Sequence, residues 1–107
     1  MAAFESSLIC TVLNEENTIE QFIDSIAKQS ILPNEVIIVD GGSSDGTLTN
    51  IKYQISNIKK NKKRKKVKFK VFTKKGNRSV GRNEGIKHAS NEIILLTDAG
   101  CVFDKNW

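Results

Sequence analysis

The run Val36-Ile37-Ile38-Val39 ends on a carboxylate, Asp40, and then breaks into Gly41-Gly42-Ser43-Ser44-Asp45-Gly46-Thr47. Consecutive apolar residues without polar alternation read as a strand buried on both faces, as in a parallel sheet. Asp40 then stands at the carboxyl end of that strand, where open α/β sheets bind ligands. Gly41-Gly42 lets the backbone turn tightly and approach a ligand closely. Ser44 or Asp45 can cap a helix that begins near Thr47.

The rest of the chain repeats this pattern. Ser6 to Leu13 reads as a first strand, broken by Asn14-Glu15-Glu16-Asn17. Asn17 or Thr18 can cap the next helix, whose Ile19, Phe22, Ile23 and Ile26 form a one-face apolar stripe. Pro33 bars that helix from continuing. After the strand Glu35 to Asp40, a second helix is expected from about Thr47 to Ile58, with Leu48, Ile51, Ile55 and Ile58 inward.

Val67, Phe69 and Val71 alternate with Lys68, Lys70 and Phe72, so the third strand belongs near a sheet edge. A third helix is expected over about Ser79 to Ala89. A fourth, buried strand, Glu92 to Thr97, again runs into an acid, Asp98. Strand-helix repeated three times and closed by a strand means right-handed crossovers and a mainly parallel sheet, a three-layer α/β sandwich. If the second and fourth strands flank the first, Asp40, Asp98, Asn14 and Glu15 converge at one sheet edge.

The chain's 107 residues suffice for one domain and are on the short side for a complete α/β enzyme. No apolar stretch approaches the roughly 20 residues of a membrane span. Met1-Ala2-Ala3-Phe4-Glu5 lacks the basic-then-apolar signal pattern, so a cytoplasmic location is the expectation. Cys10 and Cys101 lie in apolar surroundings without metal-type spacing and read as reduced, buried thiols. The formal net charge of +5 is local: nine of seventeen basic residues lie between Lys59 and Lys70, a stretch without acids. The remainder carries eight basic against twelve acidic residues.

A dinucleotide site would place Gly-x-Gly-x-x-Gly after the first strand, and that turn here has no glycine. The phosphate-loop pattern is absent too. Carboxylates at strand ends suit a different ligand chemistry. They accept hydrogen bonds from base N–H groups and ribose hydroxyls, and can hold a divalent cation on a diphosphate. Between the third and fourth strands, Gly76-Asn77-Arg78-Ser79-Val80-Gly81-Arg82-Asn83-Glu84-Gly85 brings two arginines near a helix start. Both features favour anions such as phosphate. His88 is a lone helical histidine and reads as non-functional.

Four segments carry a resemblance in order and spacing: Thr11 to Glu16, Val36 to Thr47, Gly81 to Gly85, and Leu95-Leu96-Thr97-Asp98-Ala99-Gly100. Together they resemble the family 2 glycosyltransferases over nearly the whole chain. That resemblance implies the Rossmann-like, nucleotide-binding half of a GT-A fold and a UDP- or GDP-linked sugar donor, passed to an unidentified acceptor, with inversion. By carry-over, Thr11, Leu13, Asn14 and Glu15 line the nucleotide pocket together with Gly42 and Ser43. Asp40 hydrogen-bonds the base, and Arg82 and Arg78 support the base or diphosphate. Asp98 is the first acid of the family's Asp-x-Asp metal motif, the tentative ligand for Mg²⁺ or Mn²⁺. Its third position here is Gly100, which has no ligating side chain; Asp104 is the nearby substitute.

The family places its acceptor-binding half and catalytic base after that motif. Residues 1–107 are therefore expected to form one donor-binding domain without a catalytic base, and an apolar patch is expected around Val102, Phe103 and Trp107. Two other classes stand beside this reading: a non-catalytic nucleotide-binding remnant or fragment, and a basic interaction module. The basic connection 59–66 reads either as a solvated helix-to-strand link or, with Lys68 and Lys70, as a contact to an anionic membrane surface. Nucleic acid fits less well, since Phe69 is the tract's one aromatic residue and base-stacking platforms are missing.

Overall fold

The computed structural model describes residues 6–28, 33–60, 67–91 and 93–98. Gly100, Cys101, Val102, Phe103, Asp104, Trp107 and Lys62 to Lys66 lie outside these, as does Glu92, the expected start of the fourth strand. The elements are β1 (Ser6–Val12), α1 (Ile19–Ala27), β2 (Glu35–Asp40), α2 (Thr47–Lys59), β3 (Lys68–Thr73), α3 (Arg78–His88) and β4 (Ile93–Asp98). They build one parallel four-stranded sheet in the order β3-β2-β1-β4. Both acid-ended strands therefore flank β1.

Alternation along the strands separates two faces. Leu8, Cys10 and Val12 of β1 join Val36 and Ile38 of β2 and the apolar stripes of α1 and α2 in the larger core. Ile9, Ile37 and Val39 point the other way, toward Phe72, Ala89 and Ile94. There α3 lies close to the sheet: a Cβ on Gly81 would stand 2.9 Å from Thr11 Cγ2, and one on Gly85 would run into Ile9 Cγ2. The result is three layers, α1 and α2 over one face and α3 over the other. Among the described residues no helix is long and apolar enough to cross a membrane. Cys10 is buried.

Several details differ from expectation. β1 ends at Val12, and Leu13 is 51% exposed. Thr18 occupies the α1 cap position, but its hydroxyl donates to the Glu15 carboxylate, 2.8 Å away, and caps no helical N–H. Gly46 takes the α2 cap position, and Leu48 is only half-buried because Ile51, Ile55 and Ile58 already fill the inward face. α3 starts one residue early because Asn77 Oδ1 accepts the Val80 N–H at 3.0 Å. β4 is less buried than expected: among the described residues it pairs with β1 alone, and Leu95 and Leu96 on its two faces are exposed.

β3 is an edge strand as expected, but its lysines do not all face water. Lys70 Nζ reaches over to Glu35 Oε2 on β2, 3.0 Å away. Lys70 thus leaves the basic tract and serves the interior.

Candidate functional site

Parallel strands send all their carboxyl ends to one edge. There Val12 lies opposite Asp40 and Thr11 opposite Asp98 in the ladders. The loops leaving β1 and β2 at this edge are stitched together. Asn14 adopts φ 51°, a left-handed conformation that asparagine tolerates better than most residues. Its N–H donates to Ser43 Oγ at 2.9 Å, and its Oδ1 accepts the Ser44 N–H at 2.9 Å. The Glu15 N–H donates to Thr47 Oγ1 and the Gly46 N–H to Glu16 Oε2, both at 2.8 Å. Asp45 holds the first turn of α2 through the Thr47 N–H and hydroxyl. The Thr47 hydroxyl bond chiefly keeps the half-buried Asp45 carboxyl below its usual range.

Asp40 is 2% exposed and sits on the α1–α2 face of the sheet. Its Oδ2 accepts the N–H groups of Gly42 (3.2 Å) and Ser43 (3.0 Å), and its Oδ1 accepts the Ser43 hydroxyl. Gly42 closes this turn at φ 103°, where a side chain would be strained. A carboxylate offers about four acceptor positions, and the turn fills three of them.

The third wall comes from α3. Asn77 caps its first turn, and the positive end of the helix dipole lies where Arg78 lines the opening. Gly81 and Gly85, one turn apart, bring that helix end down onto Thr11 and Ile9. Farther along α3, His88 pairs with Glu84 at 2.9 Å and stacks on Phe72 with centroids 4.0 Å apart. The hydrogen bond from His88 chiefly lowers the Glu84 carboxyl. These contacts give His88 a packing role away from the cleft.

Between β1, β2 and α3 opens a cleft of about 350 Å³. Thr11, Leu13, Glu15 and Arg78 line it together with Val12, Val39, Gly41, Gly76, Asn77 and Gly81. Asn14, Asp40, Gly42 and Ser43 build the turn beside the cleft and do not line it. Arg82 is half-buried one turn into α3. The backbone of Asp98 ends β4 next to Thr11.

Gly41, Gly76 and Asn77 also line the cleft, although their sequence context marks them only as turn and loop residues. The cleft combines a hydroxyl, a carboxylate, an exposed leucine, an arginine and a helix N-terminus. That set can accept N–H and O–H groups at one end and hold an anion at the other. Among the described residues no three His, Cys, Asp or Glu side chains group to hold a metal ion.

The chain matches the family described as Glycosyl transferase family 2 over residues 7–107. It is 36% identical over 98 residues to the poly-beta-1,6-N-acetyl-D-glucosamine synthase of Staphylococcus epidermidis, covering 92% of this chain and 22% of the synthase. The crystal structure of residues 1–349 of S. aureus TarS superposes with a TM-score of 0.74 at 30% identity, covering 95% of this chain and 29% of that one. The mannosyltransferase PcManGT of Pyrobaculum calidifontis, solved with GDP-Man and Mn²⁺, gives 0.77 at 25% identity, covering 94% and 29%. The chain thus spans about a fifth of the synthase and less than a third of either solved relative. The parallel α/β sheet shares the GT-A fold of these glycosyltransferases, and the chain belongs to glycosyl transferase family 2.

Proposed function

We propose that this chain supplies the donor site of a glycosyltransferase that uses a UDP- or GDP-linked sugar. The observation that carries the reading is the cleft itself, with acceptor groups on the β1 side and Arg78 at the α3 N-terminus on the other. The same TarS segment is solved with UDP and, at 32% identity and a TM-score of 0.67, with UDP-GlcNAc; PcManGT is solved with GDP-Man. In this reading Thr11 and Glu15 accept ribose or base donors, and Leu13 supplies an apolar surface for the base. Asp40 uses its last acceptor position for a base N–H, while Asn14, Gly42 and Ser43 fix the turn that aims it. Arg78 and Arg82 hold the diphosphate.

Asp98 is the candidate contact for a divalent cation such as the Mn²⁺ of PcManGT. Transfer to an acceptor, with inversion, is proposed for the whole protein. Titration calorimetry with UDP, UDP-GlcNAc, GDP and GDP-mannose, with and without Mn²⁺, tests the donor site. A saturable heat with one nucleotide class is expected. Arg78→Ala should weaken it about tenfold, as befits one hydrogen bond to a charged group. Absence of binding to all four ligands under both conditions would overturn the proposal.

A further inference from the structure

Glu15 is the acid among the residues that line the cleft. Two helices hold it in place. Its carbonyl accepts the N–H groups of Thr18 (3.0 Å) and Ile19 (2.8 Å), where α1 begins. Its Oε2 accepts the Thr18 hydroxyl at 2.8 Å. Its own N–H donates across 32 positions of sequence to Thr47 Oγ1, the first residue of α2, at 2.8 Å. Glu15 is thus fixed on both sides of its backbone and at one carboxylate oxygen. A carboxylate offers about four acceptor positions. Thr18 takes one and leaves the others to a ligand.

Thr47 is the least expected of these partners. It is fully buried although it opens a helix. A hydroxyl has one proton to give. Here that proton goes to Asp45 Oδ1, so toward Glu15 the same oxygen can only accept. Asp45 thereby sets the direction of the Thr47 hydroxyl. Helix capping alone does not explain this arrangement. Asp45 Oδ1 already accepts the Thr47 N–H at 3.0 Å, and Glu16 Oε2 accepts the Gly46 N–H at 2.8 Å. Both donors at the start of α2 are satisfied without the Thr47 hydroxyl. What the hydroxyl adds is a link from α2 to the residue that brings a carboxylate to the cleft.

We propose that Thr47 is a positioning residue of the donor site: with its hydroxyl oriented by Asp45, it anchors the Glu15 backbone so that the Glu15 carboxylate meets the donor nucleotide at a set place. Thr47 is not among the residues lining the cleft and acts through Glu15. The inference rests on the donor-site reading, in which Glu15 is a nucleotide contact.

A double-mutant cycle on the full chain, read by titration calorimetry with UDP and with GDP, tests it. Thr47→Val keeps the shape of the side chain and removes the hydroxyl. It should weaken the nucleotide that the parent binds about tenfold, as befits one lost hydrogen bond. In a Glu15→Ala background the same change should alter affinity by less than about twofold, since the residue it positions is gone. Thr47→Ser keeps the acceptor and loses a buried methyl. It should bind within about twofold of the parent even though its urea midpoint falls. If Thr47→Val does not fold, Asp45→Ala serves in its place: the undirected hydroxyl should weaken binding about threefold, again only while Glu15 is present. Equal losses with and without Glu15 would overturn the role of Thr47 and leave the donor site standing. So would a loss in Thr47→Ser as large as in Thr47→Val, or no loss in Thr47→Val or its stand-in. A parent chain that binds neither UDP nor GDP overturns the donor-site reading and this inference with it.

Discussion

At the scale of single residues, Asp40 separates what a sequence can locate from what it cannot. Its place at the end of a buried strand is legible, because an apolar run followed by glycines leaves few alternatives. The direction of its oxygens is not legible, since an aspartate that grips its own turn and one that grips a ligand have the same neighbours in sequence. Here it grips Gly42 and Ser43 with three acceptor positions and leaves the fourth open to a ligand. Asp40→Asn replaces one acceptor oxygen by a donor that faces an N–H or hydroxyl donor. It should cost about 1–3 kcal/mol, the penalty for a buried group left unsatisfied. Ser43→Ala deletes one partner and leaves the two backbone donors in place, so it should cost about 1 kcal/mol. Urea unfolding of both variants distinguishes them, and equal losses would mean that the carboxylate does not anchor the turn.

At the scale of elements, the placement of α3 sets the cleft. The glycine spacing Gly81 to Gly85 is visible in the sequence, but the strand beneath it becomes known only from the sheet order. That strand is β1, with Thr11 and Ile9 under the two glycines. The exposure of β4 was hidden for a related reason. An apolar strand reads as buried, whereas its real cover depends on which helices reach the fourth position of the sheet. α1, α2 and α3 are gathered over the inner strands and leave Leu95 and Leu96 open. For α3 the energetic consequence is direct. Gly85→Ala should gain roughly 1 kcal/mol of helix propensity. It also forces a methyl against Ile9, which has no room to move in a buried strand, and overpacking of this kind costs about 1–3 kcal/mol. A net loss of up to about 2 kcal/mol in denaturant unfolding is expected, accompanied by weaker UDP binding as the α3 N-terminus lifts. A stabilised variant with unchanged affinity would show that the close seating of α3 does not shape the cleft.

At the scale of the whole molecule, the edge opposite the cleft holds the layers in register, and Glu35 is its centre. The residue is 2% exposed although it begins a strand, where sequence alone offers no reason to bury an acid. Its Oε1 accepts the Ser7 hydroxyl and the Ser90 N–H, both at 2.6 Å, while Lys70 pairs with Oε2. Asn91 Nδ2 extends the network by donating to Ser7 Oγ at 3.1 Å. One carboxylate thus ties β1, β2, β3 and the segment joining α3 to β4. Burial pushes its pKa up, but the bonds from Ser7, Ser90 and Lys70 outweigh this and lower it to about 2. A folded-state pKa below the unfolded value makes the ionised form stabilising. That contribution is complete above the ordinary glutamate range near pH 4.5 and is lost as the pH falls toward 2. Between pH 7 and pH 3 the shift corresponds to about 2 kcal/mol of lost stability from this group alone. Glu35→Gln keeps the size of the side chain but cannot titrate. It should be less stable than the parent at pH 7, and the gap between the two should narrow by about that amount at pH 3. Urea midpoints measured in parallel at the two pH values decide the matter, and a constant gap would show that Glu35 does not link the molecule's stability to pH.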